Sequence, residues 1–379
     1  MSNEKIVQLK PVDQSRVLDS LVNFASNMGI QGKDKRRDSV FVESGRTRYD
    51  ELEALYREDW IAGKIIEIIP DDMTRNWRTF SDSTLTPEEM TAITKEERRL
   101  KLAKHVNQCK KWARLYGGCL LVLNVDDGLD PSKELDVDNI QPGKLRNVFA
   151  FDRRHANPQR VNLNNPFADN FREPETYRLT NTTGEIHHSR IIRMDGVTLP
   201  YHSHSRNDYW GDSILKRIRD ALINANIAVD SSAGLLFESN VDIVGIKGLL
   251  GMLSTDEGTK QVVNRFSAAK FLKSNNNLTI VDKDNETWDK VTNTFGGVGD
   301  LLDRFLTILS ATSDIPATRL FGKAPVGMSA TGESDLQNYY DSVNSKQEME
   351  LRPDLEYLDR AMAANLGIHP DKMQFSFNP

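Results

Sequence analysis

Two long amphipathic stretches, with a compact insertion between them, constrain this chain more than any other feature. Over residues 212–238, Ile214, Leu215, Ile218, Leu222, Ile223, Ile227 and Val229 recur at three- and four-residue spacing. That is the pattern of a helix with one apolar face, and Asp212 or Ser213 is its expected N-cap. Residues 300–313 repeat the pattern with Leu301, Leu302, Phe305, Leu306, Ile308 and Leu309. Between the two, residues 241–290 read as a small α/β unit. It comprises a strand at 241–247, a helix near 256–273, a polar turn at 274–277 and a strand at 278–282. Gly296-Gly297-Val298-Gly299 reads as a hinge at a helix start. Helices arranged in this way leave apolar faces half solvated in a single copy.

The flanking sequence is of mixed type. Residues 1–48 are polar and read as an arm carrying one short amphipathic helix at 17–28. From Tyr49 onward Leu52, Leu55, Tyr56, Trp60, Ile61, Ile65, Ile66 and Ile69 keep helical spacing, and Pro70 is expected to stop or bend the helix. Thr86-Pro87-Glu88-Glu89 is a helix start, with Thr86 as N-cap and Pro87 at the first helical position. That helix is expected to run to about Leu115 and to end at Gly117-Gly118. The apolar run 119–125 is a buried strand, and strands at 148–151, 176–179 and 190–194 follow between turns. After Pro316 comes the Gly-rich segment 322–331. A long helix then spans 334–365, with Leu336, Tyr340, Val343, Gln347, Leu351, Leu355, Leu358, Met362 and Leu366 on one face and Pro353 expected to kink it. The fold class is α+β.

Composition narrows the function. The chain has 379 residues, 38% hydrophobic and 27% charged, with a formal net charge of −6. This balance disfavours a protein that grips nucleic acid over its whole surface, and it fits equally one that lets a polyanion pass and an ordinary acidic enzyme. No run approaches the length of a membrane-spanning helix, and the N-terminus lacks a secretory pattern. Cys109 and Cys119 fit a reducing compartment. Gly322-Lys323 lacks the rest of a phosphate-binding loop, and no G-x-S-x-G or HExxH motif is present. His202, His204 and Asp208 offer part of a metal ligand set without the remaining ligands. His187 and His188 read better as a strand-edge pair. No catalytic residue, metal or cofactor is therefore expected.

Several blocks, in this order, resemble the phage portal protein family. They are Ile69-Pro70-Asp71-Asp72-Met73-Thr74-Arg75-Asn76-Trp77-Arg78; Ala113-Arg114-Leu115-Tyr116-Gly117-Gly118 before an apolar strand; and Ile186-His187-His188-Ser189-Arg190-Ile191-Ile192-Arg193 with Gly196 and Leu199-Pro200. The strongest comprises Ile315-Pro316-Ala317-Thr318-Arg319-Leu320-Phe321-Gly322, the segment 327–335, Asn338-Tyr339-Tyr340-Asp341 and Leu351-Arg352-Pro353.

The resemblance implies a portal-type fold. Residues 1–48 would be an N-terminal arm, 49–211 with 314–318 a wing, 212–239 and 293–313 stem helices, and 240–292 a small α/β clip. Residues 319–333 would be a tunnel loop, and 334–379 a long kinked wing or channel helix leading into a crown region that is short or missing here. It implies a ring of about twelve subunits at one capsid vertex, a conduit for double-stranded DNA in packaging and ejection, with no catalysis of its own. The implied partners are other copies of the chain, DNA passing without sequence readout, the terminase large subunit, a head-tail adaptor, and the major capsid and scaffold proteins, in the virion after assembly in host cytoplasm. No membrane partner is implied. Lys323, Ala324, Pro325, Val326, Gly327, Met328 and Ser329 would form the tunnel loop, with Lys323 touching phosphates. Glu333, Asp335, Asp341 and Glu348 would line the channel helix with negative charge. The alternatives are another phage head-tail structural protein or a nucleic-acid-processing enzyme.

Overall fold

The computed structural model describes residues 48–81, 84–168, 170–237, 240–276, 286–292, 297–322 and 333–378. Helix α1 (Tyr49–Glu58) is followed by α2 (Trp60–Arg75). The break between them is chemical: the Asp59 carboxylate accepts from the N–H groups of Ile61 and Ala62 at 2.8 and 3.0 Å and caps α2. Of the two expected outcomes Pro70 does not bring about the first: it does not stop α2 but lies inside the helix, which runs on to Arg75. Ile65, Ile66, Ile69 and Met73 are all at most 3% exposed, and burial of that face outweighs the hydrogen bond that proline forgoes.

Strand β1 (Arg78–Phe80) leads to α3 (Pro87–Leu100), which opens on a full capping box. Thr86 Oγ1 accepts from Glu89 N–H at 3.3 Å, and the Glu89 carboxylate accepts from Thr86 N–H at 2.8 Å. The single helix expected over 86–115 is two helices. Lys101 adopts a left-handed φ of 52°, and α4 (Leu102–Tyr116) starts after it. The reason is packing. Positions two apart lie about 200° apart around a helix, so only a break lets Leu100 and Leu102 both be buried.

Strand β2 (Gly118–Val125) is followed by β3 (Leu145–Asp152), β4 (Ala156–Pro158), β5 (Thr176–Leu179), β6 (Glu185–His187) and β7 (Ile191–Asp195). β2 is central in an antiparallel sheet of order β3-β2-β7, and β4-β5-β6 form a second sheet. The side chains of β2 alternate between two cores. Cys119, Leu121, Leu123 and Val125 enter the main core, whereas Leu120 and Val122 join Ala156, Tyr177, Leu179, Ile191 and Trp210. Burial on both faces explains why the segment reads as a continuous apolar run. Both cysteines are buried and free.

After the short helix α5 (Tyr201–Arg206) the chain enters α6 (Ile214–Phe237). Ser213 Oγ accepts from Leu215 N–H at 3.2 Å, which makes Ser213 the cap. The base of α6 sits in a tight joint. Val197 and Asp212 exchange two backbone hydrogen bonds of 2.8 Å. Arg153 donates to the carbonyls of Asn207 and Gly211 at 2.7 and 3.2 Å. Gly118 faces the Trp210 ring so closely that a Cβ there would lie 2.1 Å from it.

Strand β8 (Asn240–Ile246), α7 (Leu249–Leu253), α8 (Asp256–Asn276) and β9 (Glu286–Thr292) follow, with β8 and β9 antiparallel. Ser274, Asn275 and Asn276 belong to α8 rather than to a turn. Their turn preference is weak, and a propagating helix absorbs it. The strand expected at 278–282 lies outside the described residues; the partner of β8 is β9, whose mixed polar sequence gave no strand signal. Helix α9 (Val298–Ser313) packs along α6. Then come α10 (Ala317–Phe321), α11 (Glu333–Lys346), a π turn (Gln347–Leu351), α12 (Arg352–Leu366) and β10 (Phe375–Phe377). Pro353 falls in the first turn of α12, directly after the π turn. The chain is thus an α+β protein with small antiparallel sheets set among helices.

Distant parts of the chain close on one buried ion pair. β10 pairs with β1, burying Phe80, Phe375 and Phe377. Between these rings Arg78 makes a two-pronged contact with Asp359 of α12 at 2.6 and 2.5 Å, and its Nε donates to Glu97 at 3.0 Å. The Arg78 guanidinium lies 4.7 and 4.5 Å from the Phe80 and Phe375 ring centres. Burial pushes the Asp359 carboxyl up to about 6, against the pull of Arg78.

Asp359→Ala should leave the buried Arg78 cation with Glu97 as its remaining carboxylate and cost about 3 kcal/mol of unfolding free energy in denaturant titration; a loss under about 1 kcal/mol would show that the pair is dispensable. Gly118→Ala should cost about 1–3 kcal/mol by overpacking. Trp210→Leu in the same chain should recover part of that loss, which a thermal melt of the two variants reads directly.

Candidate functional site

The segment expected to touch DNA, residues 323–332, lies outside the described residues, but both of its ends are described. Residues 319–321, expected to be loop, are helical and close α10, and Glu333 opens α11. The root of the segment is held by one carboxylate. Asp72 of α2, whose side chain is 1% exposed, receives Arg319 Nε and Nη2 at 3.1 and 2.9 Å and Tyr339 Oη at 2.7 Å. Asp72 therefore ties α10, before the segment, to α11, after it. The Arg319 guanidinium is held above its usual range by this carboxylate, and burial with Asp72 alongside raises the Tyr339 phenol beyond any physiological titration.

Further contacts fix the same root. Lys64 Nζ donates to the Leu320 carbonyl at 2.9 Å, and the Trp60 and Phe321 rings meet edge to face at 6.3 Å. Gln347, buried in the π turn, donates to the Met73 carbonyl at 2.7 Å. Asn226 of α6 hydrogen-bonds Asp59 at the start of α2, which ties the long helix to the same face. Between α9 and α11 lies a cleft of about 900 Å³, lined among others by Asp303, Ala311, Thr318, Phe321, Asp335 and Tyr339.

The expected site residues divide. Lys323, Ala324, Pro325, Val326, Gly327, Met328 and Ser329 fall outside the described residues. Asp335 is exposed on the cleft side of α11. Asp341 is exposed too, but lies about 120° away around the helix and accepts from Gln337 at 3.4 Å. Glu348, in the π turn, is paired with Arg352, which donates to it at 2.9 Å and holds its carboxyl below the usual range. Asp335 and Asp341 thus lie on different sides of α11, and Glu348 is paired. Asp72, Arg319 and Tyr339 lay within the family-like blocks but carried no expected role, because nothing in sequence spacing links positions so far apart. His202 and His204 sit on α5, and the rings of His187 and His188 lie 4.4 Å apart, tilted by 40°. Among the described residues no three His, Cys, Asp or Glu side chains converge as a metal site, and no helix is long and apolar enough to cross a membrane.

Comparison with known proteins completes the picture. An anti-CBASS protein Acb1 from Caulobacter sp. (strain RHG1) is 33% identical over 374 residues, covering 96% of this chain and 59% of that protein. A protein of the same name from Sphingomonas paeninsulae is 36% identical over 95% of this chain and 58% of its own length. The chain thus spans under two thirds of these relatives. Among solved structures, a chain in the neck of an empty gene transfer agent particle, computed with C6 symmetry, superposes with a TM-score of 0.51 at 13% identity, covering 88% of this chain and 86% of that one. The family model for phage portal proteins matches residues 50–379, nearly the whole span from α1 onward, and the chain belongs to the phage portal protein family.

Proposed function

We propose that this chain is the subunit of a ring at one capsid vertex, a conduit through which double-stranded DNA enters during packaging and leaves on ejection. The observation that carries the reading is the solvated apolar surface of the paired helices. Ile223 and Ile227 of α6 are 38% and 57% exposed, and Leu301 and Ile308 of α9 are 55% and 53% exposed. Side chains of this kind, repeated along two long helices, fit against the same helices of neighbouring copies around a closed ring. At about 1.5 Å per residue the 24-residue α6 is roughly 36 Å long, enough to form the wall of a channel. Membership of the portal family supports the same reading.

In this mechanism about twelve copies close the ring. The β8–β9 unit is the docking surface for the terminase large subunit, and later for a head-tail adaptor. The assembled ring meets the major capsid and scaffold proteins, and the net charge of −6 keeps the duplex from sticking. The segment 323–332, held at its root by Asp72, follows the DNA backbone, with Lys323 making phosphate contacts that carry no sequence information. The chain itself performs no catalysis, and the energy for translocation comes from the terminase.

A second reading draws on the name of two relatives, anti-CBASS protein Acb1. Deleting the gene and plating the phage on hosts with and without CBASS separates the two. A defect confined to CBASS-positive hosts favours the second reading, and failure to fill capsids in both hosts favours the first.

The ring reading predicts that Ile227→Asp with Ile308→Asp leaves the monomer folded by circular dichroism but abolishes large assemblies in mass photometry; intact rings in that variant would refute it. The loop reading predicts that Lys323→Ala, or deletion of 324–330, leaves rings intact while lowering packaged DNA per capsid. Wild-type filling by the deletion variant would remove the loop from the mechanism.

A further inference from the structure

On the other side of the α11 root is a second, smaller cleft of about 310 Å³. It lies where α2, α4, the turn after β7, the base of α6 and the end of α9 converge on the α11–α12 joint. Four cations line it, Lys110, Arg114, Arg217 and Lys346, together with three carboxylates, Asp195, Asp314 and Glu350. Two of the carboxylates are engaged with other groups. Asp195 accepts from Arg193 at 3.1 and 3.0 Å. Glu350 lies 3.7 Å from Lys110, which also faces Asp354 at 3.7 Å. Arg114, Arg217 and Lys346 have no carboxylate within ion-pair distance among the described residues, and Glu350 and Asp314 act on Arg114 only from beyond that range.

Arg114 is the decisive group. Its Nη2 donates to the Ile65 carbonyl at 2.8 Å, while its Nε is buried without an acceptor. Burial lowers the guanidinium to about 10, which leaves it charged at neutral pH. A desolvated cation with an unused donor is strongly unfavourable unless an anion completes it. Arg217 alone would read as a solvated surface charge, since it is exposed. What distinguishes the cleft is that Arg217 and Lys346 line it together with Arg114, the residue that carries the orphaned Nε.

We propose that this cleft binds a phosphate-type oxyanion, with Arg114, Arg217 and Lys346 as its ligands. The guanidinium presents directional donors suited to tetrahedral oxyanions, and Lys346 adds a mobile point charge. The four cations of the lining outnumber its three carboxylates, a balance that favours an anion in the cleft. The volume exceeds that of one oxyanion and leaves space for water, each taking about 30 Å³. A bound anion would cross-link the base of α6, the end of α9 and α11. The same chemistry could be supplied by free phosphate or by a phosphate of nucleic acid.

The test uses the full chain, with assembly state checked by mass photometry in each buffer. Thermal unfolding is followed in sodium phosphate, in sodium chloride of equal ionic strength, and in chloride with a short duplex lacking terminal phosphates. Phosphate at about ten times its dissociation constant should raise the midpoint by about 2–4 °C over chloride. The Arg217→Gln/Lys346→Gln double variant, altered only at groups without ion-pair partners, should keep its midpoint in chloride and lose the phosphate response. A response to duplex alone, lost in the same variant, would assign the site to a nucleic-acid phosphate. No response to either, or a full response in the double variant, overturns the proposal. Arg114→Gln serves as a second variant: if it folds, it should be no less stable than wild type in chloride and blind to phosphate, and retained phosphate response there also overturns it.

Discussion

Strand β2 is buried on both faces, and much of the tertiary order follows from that constraint. A strand so placed needs apolar covers on both sides, and the chain supplies them from distant segments. α4 and the helices behind it cover one face, and the β4-β5-β6 sheet with Trp210 covers the other. Trp210 can reach β2 only because Gly118 has no side chain. The same approach fixes where α6 begins, four residues after Trp210 and the residue after Ser213. The long paired helices are therefore aimed by the packing of a strand to which they do not belong.

The second organising element is electrostatic. Arg78 with Asp359 and Asp72 with Arg319 are each two-pronged contacts joining residues more than 240 positions apart. Neither pair is a strong source of net stability, since desolvation offsets much of the attraction. Their effect is geometric. Each fixes one registry between elements that hydrophobic contact alone would let slide, and Asp72 does so beside the segment expected to meet DNA.

Legibility in the sequence tracked the range of the interaction. The Thr86 cap, the Ser213 start of α6 and the spacing of Ile214, Leu215, Ile218 and Leu222 are local signals, and each corresponds to what the structure contains. The β2 run was equally clear, because a doubly covered strand leaves no polar alternation. The break at Lys101 and the continuation through Pro70 were not legible, since both are decided by what the helix face packs against. β1 and β10 were invisible as strands: three residues carry too little pattern, and each exists through the other. For the site, the blocks around Asp72 and Arg319 could be recognised. Their meeting could not, because it depends on how α2 and α10 dock. How the acids Asp335, Asp341 and Glu348 are disposed was not legible either, since it is set by the helical phase of α11 and by the contact of Glu348 with Arg352.

The π turn between α11 and α12 has a consequence for how this region can vary. One added residue per turn offsets the two helices by about 100° in phase. Tyr339 meets Asp72 while Leu355, Leu358 and Met362 fill the main core only because of that offset. Lengthening or shortening the chain by a single position there would turn α11 about its own axis while α12 stayed seated. The bulge thus acts as an indexing gear, setting which side chains the helix after the loop presents inward, Tyr339 and Val343 among them.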